Sequence, residues 1–196
     1  MDGQPLMHQL AFLVEADRLK GVLRQTDIAS GARRENSAEH SWHLALMASV
    51  LTGYAAEPVD LLKVLRMLLI HDIIEIDAGD TFAFDEAANA TKQAREERAA
   101  DRLFGMLPPG QDAEFRALWD EFEAGTTPES RYANALDRLQ PLLLNAENGG
   151  GSWKHHGISR SQVLQRMDPI RTALPEVWPA VMAVVDWACA EKHIKE

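Results

Sequence analysis

The sequence predicts an all-α bundle of seven or eight helices, built as one domain over residues 1–196. Three observations predict it. The apolar residues recur with a helical period almost throughout, the breaks fall at Gly and Pro, and no stretch alternates convincingly enough to be a strand.

The first helical stretch shows Leu6, Leu10, Leu13, Leu19 and Leu23, with Glu15, Asp17 and Lys20 between them. Thr26 to Ala32 breaks the pattern, contains Gly31 and reads as a loop. A second helix starts at Glu35 or Asn36 and runs to about Tyr54, with a tight face of Ala45, Leu46, Ala48, Ser49 and Leu51. Pro58 suits the first turn of a third helix. Leu61, Leu62, Val64, Leu65, Leu68, Leu69 and Ile70 make that helix apolar nearly all round, which predicts a buried central position. It continues through His71 and Asp72 to about Ile76 and ends at Gly79. Thr81 to Asp85 reads as a loop, and a charged fourth helix covers about Glu86 to Met106, stopped by Pro108, Pro109 and Gly110. Ala113 to Ala124 forms the fifth helix, and Pro128 opens a sixth that runs to about Asn145. Gly149, Gly150 and Gly151 predict a flexible break, followed by a short helix over Gln162–Met167. The last helix, about residues 176–192, either packs on the core of residues 6–170 or meets a partner.

The composition, 46% hydrophobic and 26% charged, is that of a soluble globular protein rather than a disordered one. No apolar run approaches the roughly 20 residues that cross a bilayer. The N-terminal residues, with Asp2 and His8, lack the cationic start of a signal peptide. A single cysteine, Cys189, excludes an internal disulfide and points to a reducing, cytoplasmic setting. Thirty acidic against twenty basic residues give a net charge of −10, which argues against a polynucleotide partner, since that binding rests on Lys and Arg. A small anionic substrate remains compatible if a bound cation corrects the field locally.

Several polar residues do not fit a plain bundle. The greasy third helix ends in His71, Asp72 and Glu75, with Asp80 just past the turn. His71 and Glu75 are four apart and share a face. One of His40 and His43 faces the core beside Leu44, and Asp137 interrupts the apolar stripe Tyr132, Ala133, Ala135, Leu136 and Leu139. Singly, each reads as a paired or solvated group; together they suggest one shared metal. Two neutral imidazoles and two carboxylates cancel a divalent charge, and the mixed nitrogen and oxygen set suits Mn, Co, Fe, Ni or Zn better than Mg.

The order and spacing of His40, His71-Asp72 and Asp137 resemble the HD-domain metal-dependent phosphohydrolases. Arg34-Glu35-Asn36-Ser37-Ala38-Glu39-His40-Ser41 is similar to the R-x-E-N-x-x-E-H-S signature of the branch that holds the bacterial 5′-deoxynucleotidases and the HD-domain-containing-protein-2 type. His71-Asp72-Ile73-Ile74-Glu75 with Gly79-Asp80 resembles its H-D-x-x-E…G-D stretch, and Leu19-Lys20…Arg24, Lys92 and Trp153-Lys154…His156-Gly157-Ile158 also fit. The resemblance spans about residues 6–170. It implies an HD-domain bundle, with His40, His71, Asp72 and Asp137 as ligands of one divalent transition metal. Glu75 is then the proton-transfer residue, Asp80 an acceptor for a sugar hydroxyl, Arg24 a phosphate clamp, and Arg34 and Lys92 further phosphate-binding candidates. The implied activity is phosphomonoester hydrolysis of nucleoside 5′-monophosphates. Alternatives are hydrolysis of another nucleotide (an alarmone or a nucleoside triphosphate) or a non-catalytic binding module.

Two departures matter. Gln25 follows Arg24 where the deoxynucleotidases carry an aromatic residue. No histidine stands between Ile73 and Leu136, so a second metal lacks the extra ligands found in two-metal relatives. His43 reads as a packed histidine, and His155 and His156 stay outside the metal shell. A homodimer is expected, from the resemblance and from Trp178, Val181, Met182, Val185 and Trp187 on the last helix.

Overall fold

The computed structural model describes residues 4–81 and 91–196. The expected loop at 81–85 and the start of the fourth helix at 86 lie largely outside the described residues. The elements are α1 (Gln4–Ala16), β1 (Leu23–Asp27), β2 (Arg34–Asn36), α2 (Ser37–Leu51), α3 (Leu61–Ile70), α4 (Glu75–Ala78) and α5 (Lys92–Phe104). They continue with α6 (Gln111–Ala124), α7 (Pro128–Glu147), α8 (Gly151–His156), α9 (Arg160–Ala173) and α10 (Trp178–Ala190). Short 3₁₀ turns, Asp17–Gly21 and Thr52–Tyr54, follow α1 and α2. Among the described residues no helix is long and apolar enough to cross a membrane.

The central helix is α7, not α3. It packs against α2, α3, α6, α9 and α10, and buries Tyr132, Leu136, Asp137, Leu139, Gln140 and Leu142. Pro128 sits in its first turn, and Thr127 forms a capping box with Ser130. The third helix is amphipathic instead: Val64, Met67 and Leu68 are fully buried, while Leu62 and Leu69 stay exposed. It starts at Leu61, later than Pro58 suggested, because the Asp60 carboxylate accepts hydrogen bonds from the amides of Leu62 and Lys63.

The chain also forms a small antiparallel hairpin that the helical reading missed. Leu23 pairs with Asn36 and Asp27 with Arg34, with an irregularity between them. The alternation is short, and its inward residues are Thr26 and Glu35 rather than large apolar side chains, so the period-two signal is faint. Asn36 ends the hairpin and caps α2: its side chain accepts from the Glu39 amide, and the Glu39 side chain accepts from the Asn36 amide.

Two further differences concern the end of the chain. The glycine tract opens a helix rather than a slack linker. Gly150 adopts φ +97°, and a Cβ there would lie 2.8 Å from the His193 side chain, so only glycine fits the turn. The Gly150 amide donates to the Asn145 carbonyl at 2.7 Å. The helix foreseen at 162–167 extends over the whole of α9, started by the Ser159–Gln162 capping box.

Because Asn36 both closes the hairpin and caps α2, Asn36→Ala is expected to lower stability by about 1 kcal/mol. A lower urea midpoint with an unchanged denaturant slope would show this.

Candidate metal centre

Four side chains meet where α2, the α3–α4 turn and α7 come together. His40 lies one turn into α2, whose start is fixed by the Asn36 cap. The third helix closes at Ile70, and His71 to Ile74 form a tight turn before α4. That turn swings His71 and Asp72 toward α7, where Asp137 stands on the buried face. His40, His71 and Asp72 offer ligand atoms within 4.8 Å of one another. Asp137 Oδ1 lies 2.9 Å from His40 Nε2 and 4.0 Å from His71 Nε2.

The hydrogen-bond pattern tests whether this set fits a metal. His71 Nδ1 lies 2.9 Å from the Leu68 carbonyl, an acceptor only, so Nδ1 donates there and a neutral ring presents Nε2 as a lone pair. That buried Nε2 has no hydrogen bond and faces Asp72 Oδ1 at 3.1 Å. A lone pair pointed at a carboxylate oxygen is unfavourable unless a cation stands between them. Donor atoms 2.9 Å and 3.1 Å apart are close enough to share one ion. The residues therefore fit a divalent ion, and they do so without a thiolate.

A second layer orients these groups. Glu35, buried on β2, places Oε2 3.6 Å from His40 Nδ1 and 3.6 Å from Arg24 Nε. Gln140 Nε2 donates to Glu35 Oε1 at 2.6 Å and lies 3.3 Å from His43 Nδ1. His43 is thus tied into this chain of contacts from outside the ligand set. Arg24, on β1, donates to Asp72 Oδ2 at 3.0 Å. Burial works against the Arg24 charge, but Asp72, Asp137, Glu75 and Asp80 outweigh it and hold its pKa above the ordinary value. For Asp137 burial acts upward, yet the Arg138 guanidinium and the His40 hydrogen bond hold its carboxyl well below the usual range.

Glu75 opens α4 and accepts a 2.6 Å hydrogen bond from Ser37 Oγ. Its burial, together with the charge of Asp72, pushes its pKa well above that of a free carboxyl. Gly79, at φ +74°, turns the chain after α4 so that Asp80 reaches the same cleft. Burial raises the Asp80 pKa against the pull of Arg24, and the Gln25 amide donates to it.

An open cleft lies over these groups. It brings together Arg24, His71, Asp72, Glu75, Asp80, Lys92 and Asp137, and continues along Leu142, Trp153, Val163 and Met167. Lys92 is half-exposed and pairs with Glu96 at 3.4 Å. Arg34 is not brought to the cleft: strand alternation turns Glu35 inward and leaves Arg34 exposed on β2. His155 and His156 are exposed on α8, away from the metal ligands. Sequence reasoning left Glu35, Gln140, Ser37 and Arg166 without a role. Glu35 would have followed from recognising the strand, and Arg166 from its place between Val163 and Ile170 on the inward stripe of α9.

The charge arrangement has a consequence for the metal-free protein. Burial raises the carboxyls of Glu75, Asp80, Glu96 and Glu123 above their ordinary values. For His40, burial and Arg24 oppose protonation, but Asp137 and Glu35 prevail and raise it. A group that binds its proton more tightly when folded loses its stabilising effect as pH rises. The glutamate contributions begin to fall near pH 4.5, that of Asp80 near pH 3.8 and that of His40 near pH 6.5. Chelator-treated protein is therefore expected to show a lower urea midpoint at pH 8 than at pH 5.5, with Glu75→Gln flattening the decline. A midpoint that climbs over this range would contradict it.

Comparison with known proteins agrees with this geometry. A family model described as HD domain matches residues 16–178. Human 5′-deoxynucleotidase HDDC2 is 28% identical over 139 residues, covering 70% of this chain and 67% of the human protein. The bovine protein of that name is 28% identical over 148 residues, covering 75% of this chain and 71% of its own. The yeast 5′-deoxynucleotidase YGK1 is 27% identical, covering 69% and 64%. A crystal structure titled a predicted metal-dependent phosphohydrolase, from Magnetospirillum magnetotacticum, is 51% identical and superposes with a TM-score of 0.94, covering 98% of this chain and 97% of that one. The fold, the buried His-Asp cluster and the family match coincide, and the chain belongs to the HD domain family.

Proposed function

We propose that this protein is a metal-dependent phosphohydrolase that releases phosphate from small phosphomonoesters, nucleoside 5′-monophosphates first. The observation that carries this is the buried Nε2 of His71, without a hydrogen bond and set against carboxylate oxygens in an open cleft. The names of the matched relatives, 5′-deoxynucleotidases and a metal-dependent phosphohydrolase, support the same reading.

In this reading His40, His71, Asp72 and Asp137 hold one divalent first-row transition metal. When bound, such an ion lowers the pKa of a coordinated water toward neutrality. The chain's own groups do the rest. Arg24 reaches the phosphoryl group with the guanidinium nitrogens that Asp72 and Glu35 leave over, and Lys92 at the rim adds positive charge. Glu75, anchored through Oε2 by Ser37, handles the proton of the reacting oxygens, and burial holds its pKa above that of a free carboxyl. Asp80 accepts from a sugar hydroxyl. Gln25 offers no aromatic face beside Arg24, so the base is read by shape along the Trp153 end of the cleft.

The protein works as a homodimer in a reducing, cytoplasmic setting. On α10, Val181 and Val185 are buried within the chain, while Trp187 stays exposed. Further support comes from α2, where Trp42, Leu46 and Val50 form one exposed stripe at four-residue spacing. A second copy of the same chain covers this stripe.

Phosphate release from a panel of nucleoside mono-, di- and triphosphates with added Mn²⁺, Co²⁺ or Mg²⁺ tests the activity. Monophosphates are expected to react fastest. Glu75→Gln should lower kcat roughly 10²- to 10⁴-fold with metal content intact. Asp72→Ala should lose both turnover and the bound equivalent seen by elemental analysis. No release with any metal would favour a binding module, and triphosphate preference would favour the alternative nucleotide reading. Sedimentation of the protein and of Trp42→Glu tests the dimer, with the variant expected to run as a monomer.

A further inference from the structure

Four cationic side chains line the cleft: Arg24, Lys92, Arg138 and Arg166. Three of them are already engaged. Arg24 donates to Asp72 and lies beside Glu35. Lys92 pairs with Glu96. Arg138 pairs with Asp137 and reaches Asn134 at 3.5 Å. Arg166 differs: among the described residues it has no hydrogen bond and no ion pair, although it sits on the inward stripe of α9 between Val163 and Ile170.

An enclosed cation without a counter-ion is unfavourable in isolation. Burial, and then the Arg138 guanidinium, pull the Arg166 pKa down to about 10, with Asp137 and Asp80 pulling the other way and Arg24 adding to the fall. Arg166 thus keeps its charge at neutral pH. The groups that sense it, Asp137, Arg138, Arg24 and Asp80, lie at the metal end of the cleft.

We propose that Arg166 is a phosphate-binding residue, whose uncommitted guanidinium fork receives the phosphoryl group of the substrate from α9 while Arg24 reaches it from β1. Two observations favour a phosphoryl group over a nucleobase or sugar. Arg166 lines the same cleft as Asp137 and Arg24, whose charges act on it. A planar fork also matches two oxygens of a tetrahedral anion with parallel donors, which Arg24 cannot offer in full once it serves Asp72. The assignment rests on the phosphohydrolase reading and fills the position that sequence reasoning gave to Arg34.

The test uses metal-loaded protein and inorganic phosphate as the probe, titrated by calorimetry into wild type, Arg166→Ala and Arg166→Lys. Arg166→Ala is expected to weaken phosphate binding roughly 10- to 100-fold, as loss of a charge-assisted bidentate contact predicts. Arg166→Lys should recover part of the loss, since it restores the charge without the fork. The affinity for an unphosphorylated nucleoside and the bound metal equivalent should not move. Unchanged phosphate binding in Arg166→Ala overturns the assignment, and so does a loss confined to the nucleoside. If Arg166→Ala melts early, Arg166→Lys against Arg166→Gln isolates the charge instead: tighter phosphate binding by the lysine variant supports the assignment, and equal binding overturns it. Arg166-dependent phosphate binding without turnover of any monophosphate removes the phosphohydrolase reading alone. Turnover with Arg166-independent phosphate binding removes the Arg166 assignment alone.

Discussion

Two imidazoles and two carboxylates share one buried point, and much of the structure follows from keeping them there. Burying such groups is unfavourable unless each polar atom has a partner. The fold brings the four groups together from three directions. The Asn36 capping box fixes the start of α2, so His40 falls on its inner side. The third helix stops at Ile70, and the following turn, rather than a continued helix, carries His71 and Asp72. The longest helix, α7, brings Asp137 in from the centre of the bundle. An uninterrupted α3 would leave His71 and Asp72 about 100° apart on one cylinder, whereas the turn lets both side chains converge.

The second layer determines which atom of each ligand remains available. Leu68 takes the Nδ1 proton of His71, and Glu35 stands beside Nδ1 of His40, so both rings present Nε2 inward. Glu35 also stands beside Arg24, which itself grips Asp72. One buried carboxylate on a short strand thereby links a metal ligand to the cleft's arginine. The hairpin is a small part of the chain, yet it supplies both Arg24 and Glu35, and this explains its presence in a protein otherwise built from helices.

The bundle was legible in the sequence because helical periodicity is a strong local signal, and the gathering of His40, His71, Asp72 and Asp137 at one buried point follows the order and spacing read there. What stayed hidden depends on contacts between distant residues. The helix that is greasiest in sequence is not the central one: Leu62 and Leu69 face outward, and centrality belongs to α7, whose polar Asn134, Asp137 and Gln140 dilute its hydrophobic pattern. Arg34 and Glu35 exchange importance once the segment is a strand, since alternation sends one outward and the other to the centre. The glycine tract reads as slack from composition alone, but Gly150 is required by its closeness to His193, some forty residues later in the chain. Arg166 carries no motif and becomes visible only when α9 is seen to flank the cleft.

An acidic protein must still admit an anion, and the cleft shows how. Asp72, Glu75, Asp80, Glu96, Glu123 and Asp137 line it, against Arg24, Lys92, Arg138 and Arg166, so a fully ionised cleft without metal is net negative and repels phosphate. A divalent ion at the His-Asp cluster offsets that excess. Burial favours the neutral form of Glu75, which acts in the same direction. The charge of the whole chain, −10, therefore says little about the field inside the cleft, where a small number of enclosed groups act at short range in a poorly screened space. The same groups that make the metal-free cleft unfavourable make it selective: an anion would be held where a bound cation adds to the donors of Arg24 and Arg166, while the acidic side chains elsewhere in the lining oppose it.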